Sequence, residues 1–546
     1  MKKITAIMMI MALLLAGGCS APKPQEEIFI FYTSDVHCGI KEEMSFAKLK
    51  ALVDDTRAAH RNVALVDLGD YIQGGTYGTL TQGSLIIDLM NEMNYDLVTF
   101  GNHEFDYGME RLSELIAMAG FKTVATNVRY TGSGRSVFAD IPEYVIMDLG
   151  GRKVAFIGVL TPASITDSTP AFFMEDGQFV YDFYSGDDGN NLYQKVQQTV
   201  NVVRVLGADY VVALSHLGYS EGYRPYDSVS LISHTTGIDV VLDGHAHAEI
   251  IGDLYPNAEG KDVILSSVGT KMQNVGELII EPDGRISTVL ISEYDREDEK
   301  IAEAVARADE QLSEILSQKV GEIPFDLTIT DENGKRLIRN RETNLGDFVA
   351  DALRDYMNTD IALFNGGGIR STVRAGEVTY DDLLKVMPFN NTVSSSICTG
   401  QQILDCLEFT SRSTARLAVF EDNSVGENGG FLQVSGLKYT IDTSIESSVV
   451  TDDKGLFAGV AGQRRVCDVQ VLKDGQYVPI EPQATYSVAS IRYVLLEGGD
   501  GNTALADSQV LVDKGPMDLE VLIAWFEKCL GNYGQYELPQ GRITVK

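Results

Sequence analysis

Asp96-Leu97-Val98-Thr99-Phe100-Gly101-Asn102-His103-Glu104-Phe105-Asp106 is an apolar run that stops at a glycine and then delivers an amide, an imidazole and two carboxylates. A strand covered on both faces by other layers reads as such a continuous apolar run, so this stretch predicts a buried strand of a layered α/β fold. The polar residues then fall at the strand's carboxyl end, where sheets of this class bind their ligands.

The same construction recurs along the chain. Ile28–Tyr32 leads into Thr33-Ser34-Asp35-Val36-His37, and Val63–Val66 into Asp67-Leu68-Gly69-Asp70. Tyr210–Ala213 leads into Leu214-Ser215-His216, and Ile238–Leu242 into Asp243-Gly244-His245-Ala246-His247, with a further apolar run at Val154–Val159. Taken singly, each is an ordinary turn: Gly-Asp is a common turn signal, and Asn102 is a residue that tolerates left-handed backbone. Taken together they are not. The chain has seven histidines, and His37, His103, His216, His245 and His247 all stand in these motifs, leaving His60 and His234 as surface or core residues.

Imidazole, carboxylate and amide ligands suit borderline or hard divalent ions such as Zn²⁺, Mn²⁺ or Fe²⁺ rather than soft thiolate chemistry. Asp35, His37, Asp70, Asn102, His216, His245 and His247 are more ligands than one tetrahedral ion uses, which predicts two ions. Such pairs, about 3.5–4 Å apart, stabilise both the attacking and the leaving oxygen in a displacement at phosphorus. Two such ions activate water for attack at phosphorus, so no serine or cysteine nucleophile is required.

Working outward, the 546 residues fit two to four domains, and 44 % hydrophobic with 22 % charged residues is ordinary globular usage. With 44 basic and 78 acidic residues the net charge is −34, which argues against nucleic acid or an anionic membrane surface as a broad partner. An anionic substrate therefore needs local cations. Asp295 to Glu322 carries Ile301, Val305, Leu312, Ile315 and Leu316 at helical spacing, which predicts one long amphipathic connecting helix. The expected organisation is a signal peptide (1–19), a polar tether (20–27), a metal-binding domain (28–294), the connecting helix (295–323) and a second domain (324–546).

At the amino terminus, Lys2 and Lys3 precede an apolar run from Ile4 to Ala16, too short to cross a bilayer comfortably but suited to a secretory signal. Leu15-Ala16-Gly17-Gly18-Cys19 resembles a bacterial lipobox, with Ala16 where that box prefers Leu. The resemblance implies lipid on Cys19, export, and contact with the membrane only through that anchor; a plain cleaved signal peptide is the alternative. Cys38, Cys398, Cys406, Cys467 and Cys529 read mostly as buried small hydrophobes.

Asp-x-His, Gly-Asp, Gly-Asn-His-Glu, Ser-His and Gly-His-x-His, in that order, resemble the calcineurin-like metallophosphoesterases. The longer Gly-Asn-His-Glu-Phe-Asp-Tyr-Gly from Gly101 narrows the resemblance to the 5′-nucleotidase and UDP-sugar hydrolase family. It implies an α/β fold, with an N-terminal metallophosphoesterase sandwich, a connecting helix and a C-terminal α/β substrate-binding domain. It also implies one ion on Asp35, His37, Asp70 and His247, and another on Asp70, Asn102, His216 and His245, with Asp70 bridging. Some members carry Gln where His247 stands. His103 matches the family's catalytic histidine and Asp106 its carboxylate partner. That role has its own physical sense, because a carboxylate beside an imidazole fixes its orientation and raises its pKa.

Three segments of the second domain extend the resemblance: Arg339-Asn340-Arg341-Glu342-Thr343-Asn344-Leu345-Gly346, Phe364-Asn365-Gly366-Gly367-Gly368-Ile369-Arg370, and Gly498-Gly499-Asp500-Gly501. Glycine lets backbone approach a ligand closely, and arginine grips phosphate in a planar fork. The resemblance implies substrate contacts at Arg339, Asn365, Gly367 and Arg370, a ribose contact at Asp500, and one wall of a base sandwich at Phe389. Val494 stands where the family usually has Phe, with Tyr493 beside it, so the second wall is open between them.

These expectations describe an exported phosphohydrolase for nucleoside 5′-monophosphates, extending to UDP-sugars. A 2′,3′-cyclic nucleotide phosphodiesterase/3′-nucleotidase is the alternative of the same chemistry. A two-lobed solute-binding lipoprotein is the alternative of another class, but a binder has no use for the His103–Asp106 pair.

Overall fold

The computed structural model describes residues 26–219, 221–415 and 426–546, so the expected anchor at Cys19 lies outside the described residues. Along the strand Ile28–Thr33, successive side chains enter different cores: Ile28, Ile30 and Tyr32 face a second sheet, while Phe31 faces helices. Side chains of a strand alternate between faces, so a strand apolar on both must lie between two layers. Val154 and Phe156, Val212 and Leu214, and Val240 and Leu242 meet Ile28, Ile30 and Tyr32 from the other sheet. Their alternates Ala155, Val211, Ala213 and Val241 pack on the helices Asn190–Val205 and Ser228–His234. The result is a helix–sheet–sheet–helix sandwich.

In the first sheet, Ile28–Thr33, Val63–Asp67 and Leu97–Val98 run parallel and adjacent. In the second, Arg152–Leu160, Tyr210–His216 and Val240–Asp243 do the same. The carboxyl ends of each triplet therefore share one edge of their sheet. The run expected to be a strand from Asp96 to Phe100 pairs only at Leu97–Val98. Asp96 instead accepts the Leu65 N–H at 2.9 Å, and the Thr99 hydroxyl donates to the Val124 carbonyl at 3.0 Å.

The amphipathic helix runs over Glu299–Leu316, begun by the Asp298 carboxylate on the Ile301 N–H at 3.0 Å. Ile301, Val305 and Ala308 bury against the first sheet's helical layer, so the helix is part of that core as well as a connector. Its expected extension to residue 323 does not occur: Lys319–Ile323 is a strand pairing with Gly376–Thr379, and Ile315 is exposed.

The second domain holds a five-stranded sheet in the order Leu432–Ser435, Ile361–Asn365, Thr485–Ile491, Val393–Thr399, Gln509–Val512. The helix Asn344–Met357, capped by Thr343, packs on it through Leu345, Phe348, Val349 and Leu353. The two domains touch where the Thr79 hydroxyl donates to the Pro388 carbonyl and the Thr76 hydroxyl to Asp381 at 2.8 Å. They touch again where Tyr493 donates to the Thr166 carbonyl at 3.2 Å.

Candidate active site

The loops that follow the parallel strands are bent sharply. Asp35, His37, Asp70, His245 and His247 have φ of 50°, 44°, 61°, 74° and 54°, a region non-glycine residues rarely occupy. Such strain concentrates where surroundings over-determine it at functional sites. Asn102, the residue whose type favours left-handed backbone, is right-handed here with φ −77°. Two glycines allow the loops to close in. A Cβ at Gly101 would stand 2.2 Å from Asp70 Oδ1 and 2.6 Å from His216 Nε2, and one at Gly244 would stand 2.2 Å from Ser34 Oγ.

The candidate ligands assemble into three groups whose ligand atoms lie within 4.8 Å of one another: Asp35, His37 and His247; Asp70, His216 and His245; and His37, Asp70 and His103. Asp70 appears in two of them. The Asp35 carboxylate also accepts the His245 N–H at 3.1 Å, which ties the first loop to the last.

The donor set fits divalent cations on three counts. His37 Nδ1 is 2.8 Å from the Gln73 carbonyl and His216 Nδ1 is 2.9 Å from the Leu68 carbonyl, which turns both Nε2 atoms inward in the manner of metal-bound imidazoles. His37 Nε2 and His247 Nε2 face each other at 3.1 Å, close to the edge of a tetrahedron with bonds of about 2.0–2.1 Å. Asn102 Oδ1 is buried without a hydrogen-bond partner, a costly state unless another group satisfies it, and His216 Nε2 faces Asp70 Oδ2 at 3.1 Å.

The electrostatics agree. Burial pushes His37 and His245 down to about 3, which leaves neutral imidazoles with free lone pairs. Burial would also lower His216, but Asp70 and Asp35 beside it outweigh this and raise it to about 10. Those carboxylates would act in the same sense on a divalent cation. Asp70 itself is held well below the usual carboxylate range: burial works against ionisation, but His216 and His103 overcome it.

His103 Nδ1 lies 2.6 Å from Asp106 Oδ2, and Asp106 Oδ1 accepts the Ser168 hydroxyl at 3.2 Å. Burial lowers the His103 pKa, and Asp106 and Asp70 more than reverse it, so the net shift is upward. The His103 N–H donates to Asp70 Oδ1 at 2.8 Å, which seats it beside the carboxylate common to two ligand groups.

The second domain brings Phe389 and Arg370 to this cluster. The Phe389 ring lies 6.0 Å from His103, and the Arg370 guanidinium is 5.7 Å above Phe389. Asn365 Nδ2 donates to Asp500 Oδ2 at 2.9 Å while its Oδ1 is buried without a partner. Arg339 is within 4.0 Å of Glu427. The Gly367 N–H donates to the Gly429 carbonyl at 2.7 Å, and a Cβ there would stand 2.9 Å from that oxygen.

Val494 does not belong to the site. It is 2 % exposed in the second domain's hydrophobic core, because the short helix Arg492–Leu495 turns it inward and Tyr493 outward. Tyr493 packs against the 499–501 turn, where a Cβ at Gly499 would meet its ring at 2.3 Å, and its hydroxyl accepts the Asp500 N–H at 2.9 Å.

Three residues escaped the sequence reading. Glu104, fully buried, accepts the N–H groups of Asp70, Gly101 and Tyr71 at 2.8, 2.6 and 2.9 Å. Ser168 supports Asp106. Asp167 places Oδ2 3.7 Å from His245 Nε2. Only Glu104 had a signal, its place inside the Gly-Asn-His-Glu motif.

Two family models match the chain: calcineurin-like phosphoesterase over residues 30–249, and 5′-nucleotidase, C-terminal domain, over residues 319–507. The chain belongs to the calcineurin-like phosphoesterases that carry a 5′-nucleotidase C-terminal domain. It is 26 % identical to a trifunctional nucleotide phosphoesterase of Bacillus subtilis over 94 % of its own length, but spans only 35 % of that larger protein. It is also 26 % identical to the human 5′-nucleotidase, with 95 % of this chain and 90 % of that one aligned. Among solved structures, a 5′-nucleotidase precursor from Thermus thermophilus superposes with a TM-score of 0.76 at 27 % identity, covering 95 % of this chain and 99 % of that one. A Thermus thermophilus sulfate thiohydrolase shares the fold at 16 % identity and a TM-score of 0.67, covering 96 % and 97 %. The family's enzymes hydrolyse phosphoric esters with two divalent ions, and this chain is such a hydrolase.

Proposed function

We propose that the chain is a 5′-nucleotidase, converting a nucleoside 5′-monophosphate and water into nucleoside and phosphate. The observation that carries this reading is the seat of Phe389 and Arg370, an aromatic face and a guanidinium set directly against His103. A phosphomonoesterase without nucleoside preference has no need of an aromatic platform there. Relatives named 5′-nucleotidase support the reading.

On this reading Asp35, His37, Asp70 and His247 would hold one divalent ion, and Asp70, Asn102, His216 and His245 the other. When bound, the ions supply Lewis-acid activation of water and neutralise charge on the phosphoryl group. The chain's own residues do the rest. Arg339 and Arg370 offer planar donor forks to phosphate oxygens. Phe389 stacks on the base, and Asp500, fixed by Asn365 and Tyr493, accepts from the ribose hydroxyls. As the bond between phosphorus and the 5′ oxygen breaks, that oxygen takes a proton. His103, kept protonated by Asp106, supplies a positive N–H at the cleft for this purpose.

The test is phosphate release, in Mn²⁺ or Zn²⁺, from AMP, GMP, UMP, CMP, 2′,3′-cyclic AMP, UDP-glucose and p-nitrophenyl phosphate. The reading expects the 5′-monophosphates to lead in kcat/KM. A lead by the cyclic nucleotide, or equality with p-nitrophenyl phosphate, overturns it.

We further propose that the mature chain begins at a lipid-bearing Cys19 and is held at the outer face of a bacterial membrane. Among the described residues no helix is long and apolar enough to cross a membrane. Mass analysis of the native amino terminus should find acylated Cys19, and Cys19→Ser should leave the membrane fraction. An unmodified terminus elsewhere restores the plain signal peptide.

A further inference from the structure

We infer that Thr79 is a positioning residue for the nucleotide base: its hydroxyl, reaching out from the catalytic domain, sets the Phe389 ring in register with the metal cluster. This inference rests on the nucleotide reading above, in which Phe389 is the base platform. Thr79 lies in the helix Thr76–Thr81 and is buried. Its Oγ1 donates to the Pro388 carbonyl of the second domain at 2.5 Å, one residue before Phe389. The Gly75 carbonyl, the other acceptor within reach, is farther away at 3.2 Å, so the hydroxyl proton goes to Pro388. One turn earlier in the helix, Thr76 Oγ1 donates to Asp381 Oδ1 at 2.8 Å and fixes the same approach of the two domains.

The helix is packed onto the metal-side loops. It is entered through Gly74 and Gly75, directly after Gln73, whose carbonyl stands 2.8 Å from His37 Nδ1. A Cβ at Gly74 would stand 2.7 Å from His37 Cβ, and one at Gly78 would stand 2.4 Å from Cys38 Sγ, so this segment lies directly against the His37 loop. Thr79 is therefore carried by the same packing that carries the candidate ligands.

The loop that carries Phe389 has little else to hold it. Its two ends are anchored within the second domain: the Met387 N–H donates to the Leu383 carbonyl at 3.0 Å, and the Asn391 carbonyl accepts the Asp518 N–H at 2.8 Å. Between them Asn390 takes left-handed backbone with φ 54°, and Pro388 has no N–H to give. Among the described residues, the Thr79 hydroxyl is the one hydrogen-bond partner of the stretch from Pro388 to Asn390. Without that hydroxyl the buried Pro388 carbonyl is orphaned, a cost the loop relieves by turning the oxygen toward water, and the neighbouring ring moves with it. A displaced stacking wall weakens binding and spares the chemical step, because the base is remote from phosphorus.

The experiment measures kcat and KM in saturating Mn²⁺ for AMP and for glycerol 2-phosphate, which has no ring to stack. The native protein is compared with Thr79→Val, Thr79→Ser, Phe389→Ala and the double variant Thr79→Val with Phe389→Ala. In Thr79→Val, KM for AMP should rise about threefold to tenfold at near-native kcat, while both constants for glycerol 2-phosphate stay put. Thr79→Ser keeps the hydroxyl and should stay near native. In the Phe389→Ala background Thr79→Val should add nothing, since it acts only through that ring. Thr79→Ala gives the same reading should Thr79→Val not fold. A native KM for AMP in Thr79→Val, or an equal loss with glycerol 2-phosphate, overturns the inference alone while Phe389→Ala still raises KM for AMP. A Phe389→Ala protein with native KM for AMP overturns the base platform and this inference with it.

Discussion

Glu104 accepts the backbone N–H of Asp70 at 2.8 Å, and through the same oxygen that of Gly101, so one buried carboxylate clamps two loops that each present candidate ligands. Its other oxygen takes the Tyr71 N–H at 2.9 Å. A buried carboxylate is tolerable only when hydrogen-bonded, and three N–H groups pointing inward would be equally costly without it. The pair therefore does for the loops what a capping residue does for a helix end.

Glu104→Gln follows directly. An amide offers one acceptor oxygen, so at least one of the three N–H groups meets an NH₂ and is orphaned, at about 1–3 kcal/mol. The loops should loosen, weakening Mn²⁺ binding in calorimetric titration and lowering kcat while KM for AMP moves little. A variant with native metal affinity would show that Glu104 is structural filling.

Asp70→Asn tests the shared carboxylate. Asp70 lies 3.1 Å from His216 and belongs to both ligand groups that pair with His37 and with His216. A neutral amide bridges two cations poorly, so metal content should drop below two equivalents and turnover should vanish. Two retained equivalents at near-native rate would remove Asp70 from the bridging position.

His103→Ala should lose about 10²–10⁴-fold in rate, the usual scale of a proton-handling side chain. Because the His103 pKa is raised, its proton is held below that value, and activity should fall as pH climbs through it. In Asp106→Asn the nearest carboxylate is gone, the shift shrinks, and the alkaline limb of kcat/KM should move to lower pH. The pH profile checks the sign, since a limb that moves upward contradicts the cationic role. His37, His103 and Asp70 also form a ligand-like group, so metal analysis of His103→Ala decides whether the ring belongs to the metal set.

The sandwich and its site were legible because the information is local. Two-faced apolar runs such as Ile28–Tyr32 name buried strands, and polar residues just past them must lie at the sheet edge. Concentration of histidines in those turns did the rest. What escaped depends on contacts distant in sequence. The clamp between Glu104 and Asp70 spans 34 residues, and nothing local separates a glutamate that accepts backbone N–H groups from one that faces water. Asp167 becomes part of the cleft only when the second domain docks through Tyr493, 327 residues from Thr166. Ile315 and Leu316 keep the helical spacing, so the pattern alone extends the connecting helix past its end at Leu316. Ser317 ends the helix, and Leu316 already packs on the second domain.

Val494 gives the sharpest divergence between the two readings and the last prediction. Read by position, Val494→Phe would restore a second base wall and sharpen purine preference. The structure expects the opposite. Val494 is 2 % exposed and part of a core with Leu495, Leu505 and Ile491, so a phenyl ring there overpacks it by about 1–3 kcal/mol and cannot reach the base. Denaturant unfolding should show that loss while the ratios among AMP, GMP, UMP and CMP stay put. Tyr493→Phe should behave differently. Without the hydroxyl, the Asp500 N–H and the Thr166 carbonyl lose their common partner, and the turn at Gly499–Gly501 is freed from the catalytic domain. The variant should fold with near-native stability and, on the proposed ribose contact of Asp500, raise KM for all four nucleotides, which share that part. KM for p-nitrophenyl phosphate, which has no ribose, should hardly move. A Tyr493→Phe protein with native KM for AMP would separate Asp500 from ribose recognition, and a Val494→Phe protein that is stable and purine-selective would return Val494 to the base pocket.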